Sequence, residues 1–262
     1  FDRTDDPQSP ATTYFLENQE YYELRSNVYG YIDDNVRFAL LSRGCIEFLN
    51  ASREWLPDII VGADWMTGYV ANFLKTDYKD YKYLKPVTTV FSIHNLLSQG
   101  TGRTPRFIPE SERDDGYGLI PDFFDPRMQN INAVRRGIMY ADIINTVSPT
   151  YAAEITTEEF GEGLAALLKE RRARLYGILN GIDYETNDPA SDPLLAKNFT
   201  AKTLELRDEN KLTLQGRLGL PQNKTTFVIG IVSRLTRQKG FNLLAPVIES
   251  FLTYTKAQLI VV

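Results

Sequence analysis

The chain is poor in the residues that build metal sites, disulfide staples and membrane anchors. Its 262 residues include one cysteine, Cys45, and one histidine, His94. A disulfide framework needs paired cysteines and a zinc site needs several cysteine or histidine ligands, so neither is expected. Basic runs are missing as well. Twenty-nine Lys+Arg stand against 34 Asp+Glu, a net charge of −5; that balance argues against a nucleic-acid partner and leaves room for a local anion site only. No apolar run approaches the length of a membrane span, and no signal peptide is expected. A Gly-rich phosphate loop, of the P-loop or the dinucleotide kind, is also lacking, which argues against an NTPase or a dehydrogenase. The expected setting is a reducing cytoplasm, with no cofactor, no metal and no membrane or nucleic-acid partner.

What is present points to a folded α/β protein. A 43% hydrophobic and 12% aromatic content excludes global disorder, and the length fits one large α/β unit or two smaller ones. The first thirty residues, rich in Asp, Tyr, Asn and Pro, are predicted as loop with a short helical turn or two. From Asn35 onward Val36, Phe38, Ala39, Leu40, Leu41, Cys45, Ile46, Phe48 and Leu49 predict a largely buried helix ending near Arg53. After Pro57 a short apolar run, 58–62 (DIIVG), predicts a buried strand, and Asp64 and Trp65 open a helix through Leu74. The unit then recurs. Strands are predicted at 87–93, 141–147, 175–179 and 226–232, with helices at 127–140, after Ser148-Pro149, at 204–218 and from about Phe241. This alternation implies parallel sheets with helices on both faces. A turn-rich stretch near 185 places a domain boundary there. The last residues, AQLIVV, read as a strand cut before its turn, so the chain is expected to be the middle of a longer protein.

Ligands of open parallel sheets bind beyond the carboxyl ends of the strands, which directs attention to Asp64, His94, Asn180 and the stretch 233–240 (SRLTRQKG). Arg234 follows a strand and Lys239 lies just before a helix N-terminus. Two cations and free helix amides suit a diphosphate; the plainer alternative is two solvated loop cations. His94 reads either as a hydrogen-bonded core residue or as a donor to a sugar hydroxyl or a developing charge. Asp64 reads as a helix N-cap or as an acceptor for hydroxyls. Asn180-Gly181 is a turn pair or a ligand contact.

In order and spacing these stretches resemble the glycogen and starch synthases, retaining glucosyltransferases with two facing Rossmann-like domains, the GT-B fold. The resemblance rests on YIDDNVRF (31–38), PDIIVGADWMTG (57–68), VFSIHNLLSQG (90–100), ADIINTVSPTY (141–151), GILNGID (177–183) with DPASDP (188–193), and VSRLTRQKG (232–240). It implies an α/β chain of two Rossmann-like parallel-sheet domains, both incomplete: 1–185 on the acceptor side and 186–262 at the start of the nucleotide-sugar domain. The implied reaction moves glucose from a nucleotide sugar, ADP-glucose first and UDP-glucose as the alternative, to the non-reducing end of an α-1,4-glucan, with retention. Carried over by motif, His94, Asp64, Arg234 and Lys239 are the catalytic set, and Asn180, Asn95, Arg234 and Lys239 contact substrate. Arg234 and Lys239 would hold the donor diphosphate and stabilise its departure without a metal. The chain departs from the family at Ala63 and Met66, where polar side chains are usual, and at Asn187-Asp188, where Trp-Asn is usual. These departures keep a non-catalytic glucan-binding homologue in view. The 262-residue piece alone is expected to show little transferase activity, and robust elongation of a glucan by it in a radiolabel assay would contradict that.

Overall fold

An antiparallel hairpin opens the chain where the sequence predicts loop: β1 (Asp2–Asp5) pairs with β2 (Thr12–Phe15). The aromatic and β-branched run TTYF carries β2, and its Tyr14 ring packs 4.7 Å from that of Phe48; this long-range contact is what a local reading misses. The computed structural model describes residues 2–5, 11–52, 55–100 and 110–262. Arg53, where the sequence ends its first helix, lies outside the described residues, as do 101–109 of the polar loop. The chain divides into two compact units, Phe1–Asn180 and Gly181–Val262. Among the described residues no helix is long and apolar enough to cross a membrane.

Phe38, Ser42, Ile46 and Leu49 recur at helical spacing, and α1 (Asp34–Ser52) buries this stripe. It packs on α2 (Tyr69–Lys75), whose residues from Tyr69 to Leu74 are all buried. The helix expected from Asp64 to Leu74 is in fact broken. A 3-10 turn over Trp65–Thr67 comes first, and α2 starts after Gly68. Gly68 sits where the 3-10 turn passes into α2, and a side chain on it would lie 2.0 Å from the Ala133 carbonyl oxygen, so the position requires glycine. Likewise the helix expected at 127–140 divides into a 3-10 turn, Pro126–Asn130, and α3 (Ala133–Tyr140), which starts afresh because the Asn132 side chain caps it by accepting from the Arg135 amide.

The sheet of the first unit holds β3 (Ile59–Ala63), β4 (Thr88–Ile93), β5 (Ile143–Thr146) and β6 (Leu175–Gly177), all parallel and in that spatial order. The helices α2, α3, α4 (Pro149–Glu154) and α5 (Ala165–Glu170) connect them. Ser148 caps α4 by accepting from the Tyr151 amide, as the Ser-Pro pair predicts. Phe91, Ile93, Ile144 and Leu168 form the core between the sheet and its helices. The expected covering of both faces is not what the described residues show: Ile59, Val61 and Tyr176, on the other face, are exposed. The reason is topological. Right-handed crossovers that step in one direction along a sheet leave every connecting helix on the same side.

In the second unit α6 (Arg207–Arg217) precedes β7 (Val228–Ile231), and α7 (Phe241–Thr255) crosses to β8 (Gln258–Val261), which lies parallel to β7. Gln215 on α6 is fully buried and donates to Gln258 Oε1 at 2.7 Å, tying helix to strand. The fold is therefore α/β, with a Rossmann-like parallel arrangement in each unit.

One buried ion pair fixes the segment that leads into α3. Arg136 and Asp114 side chains are 4% and 3% exposed, and the guanidinium donates to both carboxylate oxygens at 3.0 and 2.8 Å. Its remaining nitrogen donates to Asn72 and to the Gly118 carbonyl. Removing one partner leaves an uncompensated buried charge, which typically costs about 3–5 kcal/mol. Arg136→Met is expected to lower stability by about that amount in urea denaturation, and Arg136→Met with Asp114→Leu should recover at least ~1 kcal/mol of it. A double variant no more stable than the single would show that the charge is not the cause.

Candidate active site

The carboxyl edge of the first sheet is organised by Asp64. It follows β3 directly and has φ 56° and ψ −173°, a region that side chains other than glycine's rarely occupy and that costs about 1–3 kcal/mol. Hydrogen bonds from several elements hold it there. Its amide donates to the Ser92 carbonyl at 2.8 Å, its own carbonyl accepts from Thr67 at 3.1 Å, and its Oδ1 accepts from the amides of His94 at 2.7 Å and Asn95 at 3.3 Å. The N-cap alternative fails: among the described residues the carboxylate reaches no amide of the turn that follows. Asp64 instead binds across the sheet, and sets the start of the segment after β4.

His94 thus stands at the end of β4 with its main chain clamped and its side chain exposed. Ser92 Oγ lies 3.2 Å from His94 Nε2, a polar neighbour to a ring that is otherwise exposed. The core reading of this histidine does not hold. Asn95 is half-buried, and its Oδ1 accepts from the Leu97 amide at 3.1 Å in a local turn. Further support comes from β5 and α4. Buried Thr146 donates to the Ile93 carbonyl at 2.7 Å, and the Tyr151 hydroxyl accepts from the Leu96 amide at 3.4 Å. Burial pushes the Tyr151 phenol up, which keeps it a neutral hydroxyl.

The structure therefore brings Asp64, His94 and Asn95 together by direct hydrogen bonds. Asn180 is placed on the same edge but farther along: pairing continues past β6 through the Ile178 amide to the Thr146 carbonyl, and Asn180 follows, exposed, as the last residue of the unit. β6 runs two strand spacings, about 10 Å, from β4. Ala63 and Met66, the departures noted above, flank this centre: Ala63 is exposed and Met66 half-buried.

Arg234 and Lys239 both belong to the second unit, in the segment after β7. Both are exposed. The Thr236 amide donates to the Arg234 carbonyl at 2.8 Å, which turns the chain sharply, and Arg237–Lys239 forms a 3-10 turn. Gly240, with φ 82°, then begins α7. Lys239 thus stands one residue before the amino end of a fifteen-residue helix, where free amides and the helix dipole favour an anion. The hydroxyl oxygen of Thr236 is buried within this segment and has no hydrogen-bond partner among the described residues. Of the supporting residues, Thr146 and Tyr151 lie in a motif that the sequence marks, but nothing local signals that their side chains reach a neighbouring strand's loop.

A parallel α/β unit whose polar side chains gather beyond its strand ends is a ligand-binding architecture. The starch synthase catalytic domain model matches residues 3–170, and the chain belongs to that family. It is 41% identical over 243 residues to a glycogen synthase of Clostridium novyi, covering 91% of this chain and 49% of that protein. It is 40% identical over 257 residues to one of Thermotoga maritima, covering 97% and 51%. Among solved structures, the catalytic domain of starch synthase IV from Arabidopsis thaliana, bound to ADP and acarbose, matches with a TM-score of 0.75 and 34% identity, over 91% of this chain and 48% of that one. The chain spans about half the length of the curated relatives it matches.

The strain at Asp64 has a measurable consequence. Asp64→Ala keeps the unfavourable backbone and loses the acceptor, whereas Asp64→Gly loses the acceptor but relieves the backbone. The glycine variant is expected to be the more stable by about 1 kcal/mol in urea denaturation; the reverse order would show that the backbone at this position carries no strain.

Proposed function

We propose that the protein at its natural full length transfers glucose from ADP-glucose to the non-reducing end of an α-1,4-glucan with retention of configuration. The observation that carries this reading is the Asp64 clamp on His94 and Asn95: a fixed carboxylate and an open imidazole at a strand end, in a chain of the starch synthase catalytic domain family. In the reaction the bond from glucose C1 to the diphosphate oxygen breaks and a bond from C1 to the acceptor hydroxyl oxygen forms on the same face. The hydroxyl proton leaves with the diphosphate. Charge develops on that diphosphate, so fixed cations are required where it departs.

We assign that task to Arg234 and Lys239, and carry over to them the ADP of the Arabidopsis domain. The guanidinium offers two parallel donors to phosphate oxygens, and the ammonium a point charge beside the amino end of α7. His94 and Asp64 are assigned to the glucose, His94 as donor to a hydroxyl or to charge near C1. Asn95 and Asn180 are given contacts to donor or sugar. The same reading assigns 1–185 to the acceptor side and 186–262 to the start of the nucleotide-sugar side, and puts the reaction in the cytoplasm.

Lys239→Ala is expected to lower kcat by about 10²–10³-fold, the usual cost of one electrostatic donor to a developing charge, while glucan binding stays unchanged. Turnover equal to that of the unsubstituted protein would favour a glucan-binding role without transfer. Competing ADP-glucose with UDP-glucose in the same assay decides the donor.

A further inference from the structure

We propose that Gln99 is a positioning residue for His94, a role that rests on the transferase reading above. The segment from His94 to Gly100 leaves β4 with its first side chain exposed and must keep that side chain in place without burying it. Asp64 fixes the start of the segment. Gln99 fixes its far end. It is 3% exposed, and its amide side chain reaches two elements distant in sequence. Its Oε1 accepts from Asn132 Nδ2 at 2.6 Å, and its Nε2 donates to the Glu162 carbonyl at 2.9 Å.

Both partners are themselves constrained. Asn132 is 7% exposed; its Oδ1 caps α3, and its amide donates to Asp114 Oδ2 at 3.0 Å. With those groups engaged, its side-chain nitrogen is the one available to the loop. Glu162 has φ 46°, an uncommon conformation for a residue with a side chain, in the turn that joins α4 to α5. Gln99 thus links the loop after β4, the start of α3 and the turn before α5. The site calls for one donor and one acceptor on a buried side chain of this reach. A glutamate there would lack the donor and carry a buried charge, and a methionine would lack both.

The next residue completes the lock. Gly100 has φ 74°, and a side chain on it would lie 2.7 Å from the Trp65 ring and 3.1 Å from the Ala133 methyl. Trp65 in turn meets the Phe38 ring edge-on at 4.7 Å. Asp64 and Trp65, adjacent in sequence, therefore hold the two ends of one seven-residue segment, Asp64 by its carboxylate and Trp65 by its ring against Gly100. Gln99 supplies the polar ties that keep Gly100 against that ring: the two bonds of its side chain, and a longer one in which its carbonyl accepts from the Val134 amide at 3.5 Å. An exposed imidazole held this way is fixed from behind, and a reacting group displaced by about 1 Å can lose of order 10²-fold in rate.

The test uses the protein at its natural full length with two substitutions. Gln99→Met keeps the volume and removes both hydrogen bonds. Asn132→Ser keeps an oxygen to cap α3 and removes the donor to Gln99. Amide hydrogen exchange is read alongside glucan elongation. Both variants are expected to exchange about tenfold or more faster at Leu96 and Leu97, with the core amides of Phe91 and Ile144 unchanged, and to lose about 10–100-fold in kcat at a KM for the sugar donor within threefold of the parent's. Unchanged exchange at Leu96 and Leu97 would overturn the proposal. So would faster exchange with kcat within twofold of the parent's, since the loop would then be loosened without consequence for the reaction. If the unsubstituted protein transfers no glucose, the transferase reading fails, and the exchange measurement alone decides whether Gln99 holds the loop.

Discussion

A single carboxylate accepting two main-chain amides determines the geometry at the carboxyl edge of the first sheet. Asp64 Oδ1 draws the amides of His94 and Asn95 toward the end of β3, and so sets where β4 stops and where its exposed imidazole stands. The cost is a backbone conformation that favours glycine. It is sustained because the strand, the following turn and the neighbouring loop all bond to the same residue. Local strain held by many weak ties is a usual mark of a working site.

The surrounding structure gives that residue something firm to pull against. Phe91, Ile93 and Ile144 are nearly inaccessible and fill the space between the strands and the helices on one face. Polar side chains perform a different task at the margins. Arg136 with Asp114 fixes the entry to α3, Asn132 caps that helix, and Gln99 joins the helix start to the loop that bears His94. Apolar packing has little directional preference, whereas a bidentate ion pair or a buried amide pair tolerates one arrangement. The core therefore supplies the stability and the buried polar groups specify the register of the loops.

Much of this was legible in the residues. The apolar stripe of α1, the β-branched runs of β4 and β5 and the Ser148-Pro149 start of α4 follow from periodicity and capping, and the structure has each within a residue or two of its expected bounds. The hairpin at the start was not legible, because TTYF is a strand by virtue of its partner strand and of Phe48. Nor was the need for glycine at 68, which answers to the carbonyl of Ala133, sixty-five residues away. At the site, the sequence marked Asp64 and His94 but left Asp64 between two roles; the cross-strand bond to His94 decides against the cap. Gln99 and Tyr151 carried no signal of their own, since an amide or a phenol acquires its role only from what lies opposite it.

By itself the sequence determined the class of fold, the order of its elements and the stretches where chemistry could gather, because hydrophobic period, turn residues and capping side chains act over a few neighbours. The tertiary structure alone decided which side of the sheet the helices occupy, that Asp64 binds across strands, and how Gln99 ties a loop to two distant turns. Those outcomes depend on groups far apart in the chain, and a hydrogen bond between such groups forms only where the fold brings donor and acceptor within reach.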